Sequence, residues 1–133
     1  MIKVLIIEDD TALAKLYETK FTKEGFTVFI ANDGPSGVRL SKENAPDIIL
    51  LDVMLPLMNG FQVLKKIRKN KDTKKIPVII LTNYGEMDNV TEGFLQGATE
   101  FMVKVEHTPE EVVDTVTQIL ETNGSIVGEA FKS

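Results

Sequence analysis

Five short apolar bursts punctuate the chain, at Ile2 to Ile7, Thr27 to Ala31, Ile48 to Leu51, Val78 to Leu81 and Thr99 to Val103. Several are apolar on successive residues rather than on alternate ones, which is the pattern of strands covered on both faces. Pro77 stands at the start of the fourth, where a missing N–H does least harm. Between the bursts the apolar spacing turns helical. Leu13, Leu16, Tyr17 and Phe21 make one stripe, Phe61, Leu64 and Ile67 a second, and Val112, Val113, Val116, Ile119 and Leu120 a third. The last of these helices opens on Thr108, Pro109, Glu110 and Glu111: an N-cap, a proline at the first helical position and a capping-box glutamate. Two weaker helices are expected over Ser36 to Glu43 and Glu86 to Leu95, the second ended by Gly97. Strand and helix alternate five times, which predicts an α/β fold: a doubly wound, five-stranded parallel sheet with helices on both faces.

Bulk properties narrow the class. A chain of 133 residues with 43% hydrophobic content fits one domain with a real core. The net charge of −5 argues against a nucleic-acid-binding surface, which needs a basic face. There is no cysteine, so neither disulfides nor thiolate chemistry, and this suits a cytoplasmic location. The N-terminal run MIKVLIIEDD is too short for a signal segment or a membrane span, and acids follow it at once. The tail from Thr122 to Ser133 shows no clear period and is left unassigned.

In an open parallel sheet, ligands bind beyond the carboxyl ends of the strands, where the strand order reverses. The first strand ends there in Glu8, Asp9 and Asp10, the third in Asp52, the fourth in Thr82 and the fifth in Lys104. The second ends in Asn32 and Asp33. Carboxylates from neighbouring strands repel one another and raise their own pKa values. A hard divalent cation removes the conflict, and Mg²⁺ favours one or two carboxylates together with water and phosphate oxygens. Lys104 adds a compact positive charge and Thr82 a hydroxyl, so the set describes a pocket for a phosphoryl group on a carboxylate nucleophile. Each residue alone has a plainer role: Asp10 or Thr11 as a helix cap, Glu8-Asp9-Asp10 as a solvated turn, Thr82 as a strand former, Lys104 as a surface lysine, Phe101 as core. Their shared location carries the argument.

The segments VLIIEDD (4–10), PDIILLDVMLPLMNG (46–60), PVIILTN (77–83) and GATEFMVK (97–104) resemble the receiver domains of two-component response regulators, including the stand-alone chemotaxis type. The resemblance covers residues 2 to 121 and implies a receiver domain over 1–121, flavodoxin-like with strand order 2-1-3-4-5. It implies that Asp52 accepts the phosphoryl group and ligates the metal. Asp9 would be a direct ligand, Glu8 would act mostly through water, and the Met54 carbonyl would be a third ligand. The metal implied is Mg²⁺, with Mn²⁺ able to substitute. Thr82 and Lys104 would contact the phosphoryl oxygens, Phe101 would be the aromatic that changes rotamer on activation, and Pro56 and Gly60 would shape the loop after Asp52. The implied function is a phosphorylation-dependent switch in a phosphorelay. It takes its phosphoryl group from a histidine kinase or phosphotransfer protein. It signals through the surface of the fourth helix, fifth strand and fifth helix to a downstream protein or its own effector domain, with homodimerisation on that surface in some relatives. It is a regulatory domain that catalyses only its own phosphorylation and dephosphorylation, with no nucleic-acid or membrane contact of its own.

The sequence departs from that pattern at four places. Val105 replaces the usual proline after the lysine, which relatives hold in a cis peptide. A cis non-proline bond costs about 2.5–4 kcal/mol, so the Lys104–Val105 bond is either strained or trans. Asn83 is larger than the usual residue after the threonine and is expected to narrow access for phospho-donors. Phe101 lacks the hydroxyl of the commoner tyrosine. Met54 and Tyr84 occupy positions that tune dephosphorylation, and an apolar Met54 cannot orient an attacking water, which implies a long-lived phosphorylated state. Val105 and Asn83 also leave open a degenerate receiver that binds partners without phosphorylation. A phosphohydrolase is disfavoured because Met54 stands where a second Asp is needed. A flavin domain is disfavoured because Glu8, Asp9 and Asp10 would repel its phosphate.

Overall fold

The structure, a computed structural model, describes residues 1–123; the rest of the unassigned tail, 124–133, lies outside the described residues. Five strands alternate with five helices: β1 (Lys3–Ile7), α1 (Thr11–Lys23), β2 (Thr27–Ala31), α2 (Gly34–Asn44), β3 (Ile48–Leu51), α3 (Gly60–Lys69), β4 (Val78–Thr82), α4 (Met87–Leu95), β5 (Glu100–Val103) and α5 (Pro109–Thr122). The strands form one parallel sheet in the order β2-β1-β3-β4-β5. The order reverses between β1 and β3, which places a crevice at their carboxyl ends.

The successive apolar residues of the central strands serve two cores. Val4, Ile6, Ile48, Leu50, Ile79 and Leu81 pack under α1 and α5. Leu5, Ile7, Ile49, Leu51, Val78 and Ile80 pack under α2 and α3. Full burial of such a side chain contributes about 1.5–3 kcal/mol. Both faces being covered is why these strands do not alternate with polar residues. The helical stripes follow suit with one exception. Leu16 is 43% exposed, and Ala14 takes its place in the core beside Tyr17 and Phe21. A buried alanine carries no periodic apolar signal of its own, so the stripe points one position too far around the helix.

Local chemistry sets the ends. Asp10 caps α1 by accepting the Leu13 N–H, and Asp33 caps α2 by accepting that of Ser36. Thr108 and Glu111 form the expected capping box on α5. Gly97 follows α4 at φ +103°, a conformation that disfavours any residue with a Cβ. Arg68, half-buried at the end of α3, donates to the carbonyls of Gly97, Lys74 and Ile76, tying α3 to the segments flanking β4 and α4. No described helix is long and apolar enough to cross a membrane.

Candidate functional site

Register brings the acidic residues together. Ile7 pairs with Leu51, so the next residues, Glu8 and Asp52, leave the sheet side by side. Their side chains share the face of Ile6 and Leu50, above Tyr17 of α1, and both are buried, at 4% and 6% exposure. Carboxylate oxygens of Glu8, Asp9 and Asp52 lie within 4.8 Å of one another, with Asp9 exposed at the mouth. Lys104 follows β5 and reaches across to them. Its Nζ is 2.5 Å from Glu8 Oε1 and 2.8 Å from Asp52 Oδ2. The bland reading of Lys104 as a surface lysine is therefore overturned.

The electrostatics follow from burial against an apolar floor. Desolvation pushes the Glu8 carboxyl up to about 7, opposed by its hydrogen bonds from Lys104 and the Asp10 N–H. The same burial pulls the Lys104 ammonium down, but the contacts with Asp52 and Glu8 outweigh it and the net direction is up. A cavity of about 10 Å³, bounded by Tyr17, Leu50 and Leu81 among others, lies beneath the two carboxylates and has room for about one water.

Loops complete the rim. The other oxygen of Asp52, Oδ1, accepts a long 3.4 Å bond from the Met54 N–H, while the Met54 side chain is half-exposed. The chain then turns back so closely that a Cβ on Gly60 would lie 2.2 Å from the Asp52 carbonyl oxygen. Leu57, in this loop, adopts φ +71° with its side chain 85% exposed. Thr82 is fully buried, and its Oγ1 accepts from the Tyr84 N–H at 3.4 Å. Phe101 is half-buried against Ile80 and Gly93, on the opposite face of the sheet from Lys104.

The structure settles one open alternative here and adds two contacts. The Lys104–Val105 bond is trans, because no described peptide is cis, and the chain passes through a 3₁₀ turn over Lys104–Glu106. Asn83 turns its side-chain carbonyl to the Val105 N–H at 3.2 Å, a contact that sequence reasoning did not foresee. Asn32, noted only as a strand end, donates from Nδ2 to the Glu8 carbonyl and steadies the acidic turn from β2.

An open parallel sheet with three carboxylates and a lysine converging at its switch point belongs to the doubly wound α/β class. Within that class, residues 4–117 match the response regulator receiver domain model, and the chain belongs to that family. It is 38% identical over 127 residues to the transcriptional regulatory protein SrrA of Staphylococcus aureus, covering 96% of this chain and 51% of SrrA. The chain spans about half or less of the length of the curated relatives it matches, down to 22% for the response regulator PleD of Caulobacter vibrioides. Among solved structures, the chemotaxis protein CheY4 of Vibrio cholerae superposes with a TM-score of 0.84 at 29% identity, covering 90% of this chain and 99% of that one. The Mn²⁺-bound response regulator Rcp1 superposes at 0.76 with 26% identity, covering 91% and 93%.

Proposed function

We propose that residues 1–121 form a phosphorylation-dependent switch that accepts a phosphoryl group on Asp52 from a histidine kinase or phosphotransfer protein. The observation that carries this reading is the convergence of Glu8, Asp9, Asp52 and Lys104 on one half-buried point of the sheet edge. The donor set is all oxygen and doubly or triply anionic before Lys104 is counted, which suits Mg²⁺ or Mn²⁺. Asp9, Asp52 and the Met54 carbonyl would hold the ion, with Glu8 behind them. When bound, it would neutralise charge on the transferring oxygens.

The residues of the chain do the rest. An oxygen of Asp52 attacks phosphorus, a P–O bond forms, and the P–N bond to the donor histidine breaks, its electron pair leaving on the imidazole. Lys104 follows the new negative charge from Asp52 onto the phosphoryl oxygens, as a point charge on a flexible stem can. Thr82 Oγ1 donates to another of them. The added charge of about −1.5 to −2 draws Thr82 inward, and Phe101 turns into the space released, altering the α4–β5–α5 surface. A full reversal of such an equilibrium requires about 5.5 kcal/mol, which a few charge-assisted hydrogen bonds supply. The readout is a downstream protein or an effector domain joined to this one, and the domain works in the cytoplasm.

Intact-mass spectrometry after incubation with Mg²⁺ and a small phosphodonor tests the reading. One phosphoryl group should be gained, and none in Asp52→Asn. Labelling that survives the substitution moves the acceptor elsewhere, and no labelling of the wild type favours a phosphorylation-independent interaction module.

A further inference from the structure

Lys104 is anchored at its tip by two carboxylates, but its main chain lies in an exposed loop. What holds that loop is visible in one peptide unit. The Lys104 carbonyl accepts the His107 N–H at 3.3 Å, closing the 3₁₀ turn. On the other side of the same peptide, the Val105 N–H donates to Asn83 Oδ1 at 3.2 Å. Both polar atoms of the Lys104–Val105 peptide are thus pinned, one from within the turn and one from the β4–α4 loop. Register explains the reach: Thr82 pairs with Val103, so Asn83 leaves β4 beside Lys104. The Val105 side chain plays no part, being 80% exposed.

We propose that Asn83 is a positioning residue for Lys104, latching the peptide that follows it and so aiming its ammonium between Asp52 and Glu8. Asn83 is also the residue directly after Thr82. The latch therefore joins the two loops whose side chains would meet the phosphoryl oxygens, and an inward movement of Thr82 pulls on the Lys104 backbone through Asn83. The pairing explains Asn83 and Val105 together: a valine amide offers an N–H that a proline lacks, and the asparagine is the group that takes it. Because the bond is exposed, water replaces it readily, so its loss should alter orientation more than stability.

The proposal rests on Asp52 being the acceptor, and the test separates the two. Four proteins are compared in Mg²⁺: wild type, Asn83→Ala, Val105→Pro and the double variant. Asn83→Ala should speed hydrogen exchange of the Val105 amide and slow phosphorylation by phosphoramidate about two- to tenfold, the worth of one hydrogen bond. In the Val105→Pro background the donor is gone, so Asn83→Ala should change the rate no further. Unchanged Val105 exchange in Asn83→Ala, or rate losses that multiply in the double variant, overturn the latch. If wild type itself takes no phosphoryl group, the reading of Asp52 fails. The latch is then judged on the ¹³Cε resonance of Lys104, which should move in Asn83→Ala, and an unmoved resonance overturns it.

Discussion

Replacing Lys104 by methionine keeps the aliphatic stem and removes the ammonium from between two buried carboxylates. In the wild type the contacts are 2.5 and 2.8 Å, and the Lys104, Glu8 and Asp52 side chains are 12%, 5% and 7% exposed. At an effective dielectric constant of about 20, each contact is worth on the order of 6 kcal/mol of gross Coulomb energy. Most of that is offset by the cost of desolvating the three groups, and loss of one partner from a buried pair typically costs about 3–5 kcal/mol. Protonation limits the damage. Glu8 already sits at about 7 with the lysine beside it, and without that cation it rises further. At pH 6 Glu8 is neutral in both proteins, so the loss should be smallest there. It should be larger at pH 8, where Glu8 is ionised in the wild type but still protonated in the variant, and approach about 3–5 kcal/mol only at higher pH. Urea unfolding in EDTA at the two pH values measures both. Added Mg²⁺ should recover part of the loss at pH 8, since Lys104→Met also removes a competing cation. Equal stability of variant and wild type at pH 8 would refute the pairing, and an equal loss at pH 6 and 8 would refute the role given to Glu8.

The remaining predictions concern the ion, the pH and the loop. In wild type, Mg²⁺ at ten times its Kd should stabilise the fold by about 1.4 kcal/mol, read as a rise in Tm; an undiminished rise in Asp9→Ala with Asp52→Ala would remove the metal site. Without metal, the Glu8 carboxyl, raised from 4.5 to about 7, binds its proton more tightly in the folded state. Its contribution is therefore full below pH 4.5 and lost as pH rises through 7. Glu8→Gln should flatten that fall in a urea-midpoint series, and a curve of unchanged slope would contradict the assignment. Leu57→Gly should stabilise the chain by about 0.5–1 kcal/mol, because the left-handed strain of about 1–2 kcal/mol outweighs the chain entropy of glycine, and an 85%-exposed side chain sacrifices little burial. Gly60→Ala should destabilise by more than 2 kcal/mol, because its Cβ meets the Asp52 carbonyl; thermal unfolding reads both loop substitutions.

Much of this molecule is written along the chain. The apolar runs of β1, β3 and β4 announce strands covered on both faces because each side chain of those strands has a core to enter, whichever way it points. The cap residues Asp10 and Thr108 mark helix starts because a capping bond spans only three residues. The acidic and basic candidates are legible too, since strand ends in a parallel sheet converge by topology. What linear reasoning does not reach is contact between segments distant in sequence. Whether Lys104 turned into the pocket or away from it depended on the peptide geometry at Val105, and that geometry depends on Asn83, 22 residues earlier. Glu8 looks like any solvated acid until Tyr17, Leu50 and Leu81 close beneath it and strip its water. Arg68 reads as one more surface cation in a lysine-rich stretch, yet three backbone carbonyls claim it. Periodicity and capping are properties of neighbours and survive in one dimension. Desolvation, ion pairing and the aim of a side chain depend on what the rest of the fold places within a few ångströms, and only the tertiary structure decides that.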